Sequence, residues 1–451
     1  MSGTGEITIK RIKVDKLFGL YDYEIPSKEE KKNIDTIMIL YGENGSGKTT
    51  ILTVVFHLLA TEKTKGHKTI VSHVKFRSIK IELSNGVEII ARRKQDSLIG
   101  TFEMEVIKNE KERGIAEFWV DSDNKVRARD NKEDGKQNEL VDLISSLNLS
   151  IYFLSDDRRI QASSPEISVS SMYESHWEER LSTLTQRERE IALSRSKIEP
   201  DQFSRILLED SIKRATDWIR KHVMRGSTRG ESDVNLVYSD IIRRITSSAR
   251  KGKPQKSITR EGLLSRINTI ERRNKDFNKF LLLPHFDSIK IVEQLKKASS
   301  KQLSLIRRIL VPYLDGFEVK FNALSGIQKT INTFTETINS FMVDKSINFN
   351  IANGFTIRSR IKERLSTEML SSGERHLLLL FCNTLTALDR KSIFIIDEPE
   401  ISLNVKWQRD LISSLLELVG DKPVQYIFAT HSMEILAQHL DRVVKLESKA
   451  V

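Results

Sequence analysis

"LYGENGSGKTTIL", residues 40–52, follows directly on the apolar run "TIMIL". Gly42, Gly47, Lys48 and Thr49 carry the spacing G-x-x-x-x-G-K-T of a phosphate-binding loop. Glycines at such positions let successive backbone N–H groups turn inward around phosphate oxygens, which a Cβ would obstruct. A lysine at position 48 reaches β- and γ-phosphates, and the hydroxyl of Thr49 is a Mg2+ ligand. Ile37, Ile39 and Tyr41 alternate on a short β-type run, and "TTILTVVFHLLA" reads as an apolar helix. Phosphates would therefore lie at a helix N-terminus, where orphan amides and the macrodipole favour anions. The predicted cradle comprises Gly42, Asn44, Gly45, Ser46, Gly47, Lys48, Thr49 and Thr50. An empty Gly-rich turn is the plain alternative, and the strand before and helix after weigh against it.

A chain of 451 residues predicts two or three domains with ample material for a core. The first residues, "MSGTGEITIK", hold no apolar leader segment, and no apolar run approaches the ~20 residues of a membrane span. No membrane partner is expected, and a reducing cytoplasmic setting is. The single cysteine, Cys382 in "LLLLFCN", excludes an intramolecular disulfide framework and reads as a small buried hydrophobe. The net charge of +11 favours an acidic partner, nucleic acid first.

Residues 1–120 read mostly as strands: "EITIKRIKV", "FRSIKIELSNGVEIIARR" and "FEMEVI" alternate at period two, with Ser84-Asn85-Gly86 as a hairpin turn. The run 127–139 reads as a solvated loop, followed by a helix in "LVDLISSL" and a buried strand in "SIYFLS". From about 166 to 342 the pattern is long helices punctuated by Pro284 and Pro312. Leu263, Ile267, Ile270, Asn274, Phe277 and Leu281 form one heptad seam, and Leu324, Ile327, Ile331, Phe334, Ile338 and Phe341 a second. A short coiled-coil arm and an ordinary helical bundle both fit these seams, which call for apolar partners. The stretch 243–260 carries seven Lys/Arg and no acid, a candidate for nucleic-acid contact or a solvated linker. From "INFNIANGFTIRSR" the chain returns to α/β. The expected division is a β-rich lobe with the phosphate loop (1–165), a helical insertion (166–342) and a second lobe (343–451).

The loop's partners come more than 300 residues later. "SIFIIDEPE" (392–400) reads as a buried strand ending in Asp397-Glu398. Asp397 is placed to hold Mg2+, and Glu398 to orient or deprotonate an attacking water. In "LSSGERHLLLL" (370–380), Ser371-Ser372-Gly373 open an apolar helix, a second anion-binding N-terminus. "YIFATHS" (426–432) reads as a strand ending at His431, placed for a γ-phosphate contact.

The set GENGSGKTT, LSSGE, IIDEPE, ISLN and ATHS resembles the ABC-type ATPases, within them the SMC, RecF and OLD group. The resemblance implies an α/β ATPase head split into two lobes around an inserted helical or short coiled-coil domain, with ATP and Mg2+ bound between two heads. It implies that Ser371, Ser372, Gly373 and Glu374 of one head face the nucleotide held by Lys48 of another, making the chain a homodimer or higher homo-oligomer. It places Ser402 and Asn404 in the D-loop crossing that interface. OLD-type chains carry His where Asn404 stands. It also asks for a Q-loop near "IYFLSDDRRIQ", with Gln161 or Arg158 as candidates. Phe18 or Tyr21 could stack on adenine, or both could be core aromatics.

Within that group the chain resembles the stand-alone OLD-type ATPases of bacterial anti-phage systems, such as the AriA type of PARIS and the PtuA type of Septu and some retrons. The likeness implies an ATP-hydrolysing sensor or scaffold whose effector, such as a Toprim or HNH nuclease, is a separate protein. A RecF- or SMC-like DNA-repair ATPase is the alternative. The nine histidines are scattered without metal spacing, and Asp397 and Glu398 are already committed, so no nuclease centre is expected in the chain itself.

Overall fold

The computed structural model describes residues 7–27, 35–62, 66–94, 97–109, 112–120, 126–128, 133–156, 160–163, 200–246 and 258–447. Arg158 and most of the basic stretch 243–260 fall outside them. The chain divides into two compact units, one of residues 1–204 and 387–451, the other of residues 205–386.

The first unit holds two sheets. In one, β1 (Ile9–Leu17), β2 (Tyr21–Ile25), β4 (Ser78–Leu83), β5 (Glu88–Arg92), β6 (Phe102–Ile107), β7 (Arg113–Val120) and β8 (Val126–Ala128) pair antiparallel in the order β2-β1-β4-β5-β6-β7-β8. The β4–β5 turn closes with Leu83 N–H donating to Val87 C=O (2.9 Å) and Gly86 at φ +84°, so the Ser84-Asn85-Gly86 hairpin is present. The other sheet runs β10 (Ile160–Ser163), β9 (Leu149–Leu154), β14 (Lys391–Asp397), β15 (Val424–Ala429), β3 (Ile37–Tyr41), β16 (Val443–Lys445). All its pairs are parallel except β9–β10.

Strands β9, β14 and β15 are buried on both faces, as their near-continuous apolar runs require. Ile151, Phe153, Ile393, Ile395 and Ile427 join the core built around α1 (Lys48–Leu59). On the alternate positions Tyr152, Phe394 and Tyr426 stack as a ladder, with ring centroids 4.4 and 5.3 Å apart. Further helices of this unit are α2 (His67–His73) and α3 (Glu133–Ser145). The latter starts inside the stretch expected to be loop.

The second unit contains most of α4 (Pro200–Thr246), α5 (Arg260–Asn278), α6 (Ile289–Lys297), α7 (Ser300–Phe341), a small sheet of β11 (Lys345–Asn350), β12 (Gly354–Ser359) and β13 (Arg364–Leu365), and most of α8 (Ser372–Ala387). Helices α4 and α7 cross closely at Gly226. A Cβ there would stand 3.0 Å from the Ala323 carbonyl oxygen and 2.9 Å from Leu324 Cδ2.

Both heptad seams are spent inside this unit rather than left for a partner. Phe277 packs on Phe321 (5.0 Å between centroids), Phe334 on Phe355 (4.9 Å) and Phe341 on Phe381 (6.0 Å). Two details depart from expectation. Leu281 lies beyond the end of α5 at φ +56° and is 51% exposed, so the first seam stops at Phe277. Pro312 sits inside α7 without ending it. Leu310 and Leu314, on either side of it, are buried, and tertiary packing of that kind can offset the ~3 kcal/mol that an interior proline costs. Cys382 is buried, and burial pushes its thiol pKa up.

After β14 come α9 (Val405–Val419) and the short α10 (Met433–Ala437), both in the first unit. No helix among the described residues is long and apolar enough to cross a membrane.

Candidate functional site

The loop 42–47 leaves β3 and enters α1 through Gly45 (φ +81°) and Gly47 (φ +90°). A Cβ on Gly47 would lie 2.5 Å from Leu17 Cδ2 and 3.1 Å from Phe18 Cε2, so both space and conformation demand glycine there. Tyr23 braces the loop from β2 by donating its hydroxyl proton to the Ser46 carbonyl (2.9 Å). Phe18 stands beside the loop and is 38% exposed, whereas Tyr21 packs partly buried against the core and stacks on Tyr23. Of the two aromatics, Phe18 is the one free to meet a base.

The Lys48 ammonium is buried and donates to the carbonyls of Gly42 (2.9 Å) and Glu43 (3.2 Å). Burial lowers its pKa, and Glu398, Asp397 and Glu400 pull it back up. These carboxylates sit at the end of β14, one strand across β15 from β3. Asp397 is 1% exposed, and neither of its carboxylate oxygens has a hydrogen-bond partner among the described residues. Burial raises its pKa and the charges of Asp156 and Glu400 add to that, while the nearby Thr49 hydroxyl, short of full hydrogen-bond geometry, and the charge of Lys48 oppose the rise.

Glu398 takes an unusual backbone conformation, φ +48°, held by its N–H on the Ala429 carbonyl (2.8 Å). Its Oε1 stands 3.2 Å from His431 Nε2. Burial, then the charge of Glu400 and of Asp397, push its pKa up to about 8, with Lys48 countering. His431 is shifted down, first by burial and then by Lys48, so its ring is held neutral and can donate one N–H or accept one.

Glu400 had no assigned part in the site. Its Oε1 accepts from the Thr430 hydroxyl (2.6 Å), His431 N–H (2.8 Å) and Ser432 N–H (2.9 Å). One carboxylate therefore ties the end of β14 to the turn after β15 and aims His431 at Glu398. The only signal in the sequence was the third acid of "DEPE", two positions past Glu398. Replacing Glu400 with alanine frees three donors. We expect a loss of stability of about 2–4 kcal/mol by chemical denaturation. Phosphate release should also slow at least tenfold, with nucleotide affinity changed by less than threefold. Wild-type turnover in Glu400→Ala would show that the turn needs no such anchor.

The remaining assigned residues divide. Ser402 has φ +67°, and Asn404 caps α9, its side chain accepting from Trp407 N–H at 2.9 Å. The cap is a local task for Asn404 whether or not it also meets a second chain. Gln161 is exposed on the edge strand β10, opposite Phe153. Ser371, Ser372, Gly373 and Glu374 belong to the second unit. There Ser371 and Glu374 form a capping box: Glu374 Oε2 accepts from Ser371 N–H (2.6 Å), and Ser371 Oγ from Glu374 N–H (3.3 Å). Burial would raise the Glu374 pKa, but hydrogen bonds from Lys345 (2.8 Å) and Ser371 hold it below the usual range.

A glycine-shaped loop at a helix N-terminus, a buried lysine and a partnerless aspartate beside it suit a triphosphate with a divalent cation. Thr49 and Asp397 would hold Mg2+, whose chemistry there is to neutralise phosphate charge. This combination of parallel sheet, phosphate loop and acid-ended neighbour strand defines a P-loop nucleoside-triphosphate hydrolase.

Residues 9–436 match the AAA ATPase domain family, and the chain belongs to it. Solved structures with a similar chain course include the Smc head domain with an extended coiled coil bound to the C-terminal domain of ScpA, from Pyrococcus furiosus. That match is 12% identical, covers 98% of this chain and 94% of the other, and has a TM-score of 0.40. The Smc head domain with a coiled coil and joint from Pyrococcus yayanosii is 14% identical over 98% and 97% of the two chains, with a TM-score of 0.36. No curated protein matches the sequence.

Proposed function

We propose that this ATPase hydrolyses ATP at sites completed by a second copy, and that its nucleotide state controls a separate effector, such as a Toprim or HNH nuclease, in defence against phage. The observation that carries the hydrolytic part is the convergence of Lys48, Asp397, Glu398 and His431, organised by Glu400, at the ends of adjacent strands. Lys48 binds and orients the β- and γ-phosphates. Glu398, in its ionised form, accepts the proton of the attacking water, and His431 stands beside it to hold that water or the γ-phosphate. Ser371 to Glu374 of the second copy close the site, their helix N-terminus facing the phosphates. The defence role is supported by the "EPEISLN" likeness to OLD-type chains.

The trans arrangement is tested by mixing two inactive variants. Lys48→Ala lacks the phosphate lysine and Ser372→Arg lacks a usable signature, so a mixed pair holds one intact composite site. Mixtures should recover about a quarter to a half of wild-type turnover. Co-assembled mixtures that remain inactive would place hydrolysis within one chain.

A DNA-repair ATPase is the second reading, and one surface favours it. Lys345, Arg358, Arg360 and Lys362 line a cavity of about 730 Å³ beside β11 and β12. Phosphate contacts there would make binding steeply salt-dependent. Replacing Arg358, Arg360 and Lys362 with glutamine should then weaken DNA retention and flatten its salt slope. Unchanged retention removes this reading of the cavity.

A further inference from the structure

Helix α6 and the first half of α7 enclose a groove of about 650 Å³. Ile291, Leu295, Ile306, Ile309, Leu310 and Tyr313 line it, with almost no polar surface. Leu295 and Leu310 form its buried floor, while Ile309 is 59% exposed on its wall. Its shape, a buried apolar floor between two helices with an exposed apolar wall, suits an apolar ridge from another polypeptide.

Lys290 lines the groove beside these residues, and the stretch of chain that forms it is one-sided in charge. From Ile289 to Tyr313 the chain carries Lys290, Lys296, Lys297, Lys301, Arg307 and Arg308 against a single acid, Glu293. The Nε of Arg307 is buried with no hydrogen-bond partner among the described residues. Nothing in the nucleotide site makes use of this surface.

We propose that the groove receives an acidic amphipathic helix of a separate polypeptide, its apolar ridge on Leu295, Ile306 and Leu310 and its carboxylates on the lysines and arginines of that stretch. The shape argues for a helix. Apolar side chains at i, i+3, i+4 and i+7 make a ridge that fills a trough between two helices. The nine residues of α6 match about two and a half turns of such a partner. A second copy of the same face would set six cations against six. A flat lipid surface would leave the floor residues unfilled.

The test uses the full chain and a fluorescein-labelled synthetic helix with leucines on one face and glutamates flanking them, beside a twin with lysine in place of glutamate. The acidic peptide should bind at least tenfold tighter than its twin. Ile309→Glu should weaken it at least tenfold, and the exposed pair Lys290→Glu/Lys297→Glu should abolish the preference for acid. The exposed pair decides the matter if Ile309→Glu alters the melting curve. Lys48→Ala should bind the peptide as the wild type does, which separates this site from the nucleotide reading. Equal binding of both peptides, or binding indifferent to the substitutions, overturns the proposal. So does an oligomer that Ile309→Glu dissociates in sedimentation velocity, which would make a second copy the occupant. Co-sedimentation with phosphatidylserine vesicles, lost in Ile309→Glu and unaccompanied by peptide binding, overturns it in favour of lipid.

Discussion

Glu398→Gln is expected to lower the rate of phosphate release by about 10³-fold, within the range that loss of a general base produces. Nucleotide affinity should change by less than threefold, because glutamine keeps the volume and the φ +48° position while losing only the capacity to take a proton. Steady-state phosphate release and equilibrium binding of a fluorescent ATP analogue measure the two quantities. Wild-type turnover in this variant would remove Glu398 from the chemistry.

The same substitution carries a pH signature. The Glu398 carboxyl is raised from 4.5 to about 8 in the folded, ligand-free chain. Between those values the unfolded chain releases a proton that the folded chain retains, so native stability falls as pH rises. Glu400 and Asp397, with Asp156 and Lys48 nearby, face the group from neighbouring elements, so the drop belongs to the cluster. Thermal melts of the ligand-free wild type should therefore decline more steeply from pH 5 to pH 8 than those of Glu398→Gln. Parallel curves would show that the raised carboxyl lies elsewhere.

Lys48→Ala is the second large effect. The ammonium sits among three carboxylates and two carbonyls, so its removal costs the site both its phosphate contact and its internal counter-charge. Loss of charge-assisted hydrogen bonds of about 1.5–3 kcal/mol each predicts nucleotide binding weaker by roughly tenfold to a hundredfold. Turnover should fall below detection in the same phosphate-release assay. Arginine at this position should not rescue it, because a planar fork does not fit a pocket shaped for a point charge. Wild-type affinity in Lys48→Ala would mean that the loop does not cradle phosphate.

The legible parts of this molecule were those in which local chemistry leaves one solution. A glycine-lysine-threonine loop between an alternating strand and an apolar helix favours a phosphate cradle over an empty turn on local grounds alone. An apolar run ending at Asp397 announced a central strand by its lack of any polar face. Glu400 was silent because its importance lies in three donors supplied by residues 430–432, which the sequence does not bring near it. The seams were found by their spacing, but spacing does not name what covers them. The rings of Phe321, Phe355 and Phe381 do, and they come from other turns and elements. Pro312 misled because a proline's local cost is visible in sequence and the packing that offsets it is not.

The position of β3 has a consequence for how the chain is born. Its two neighbours in the sheet, β15 and β16, are made from residues 424–429 and 443–445. About 400 residues separate β3 from β16, and ribosomes adding roughly 5–20 residues per second need roughly 20–80 s to span them. Throughout that interval the strand carrying the phosphate loop has both edges bare and its apolar residues unpacked, a target for chaperones and for wrong pairings. A nascent chain halted before residue 424 would hold every residue of the loop and no site for a nucleotide.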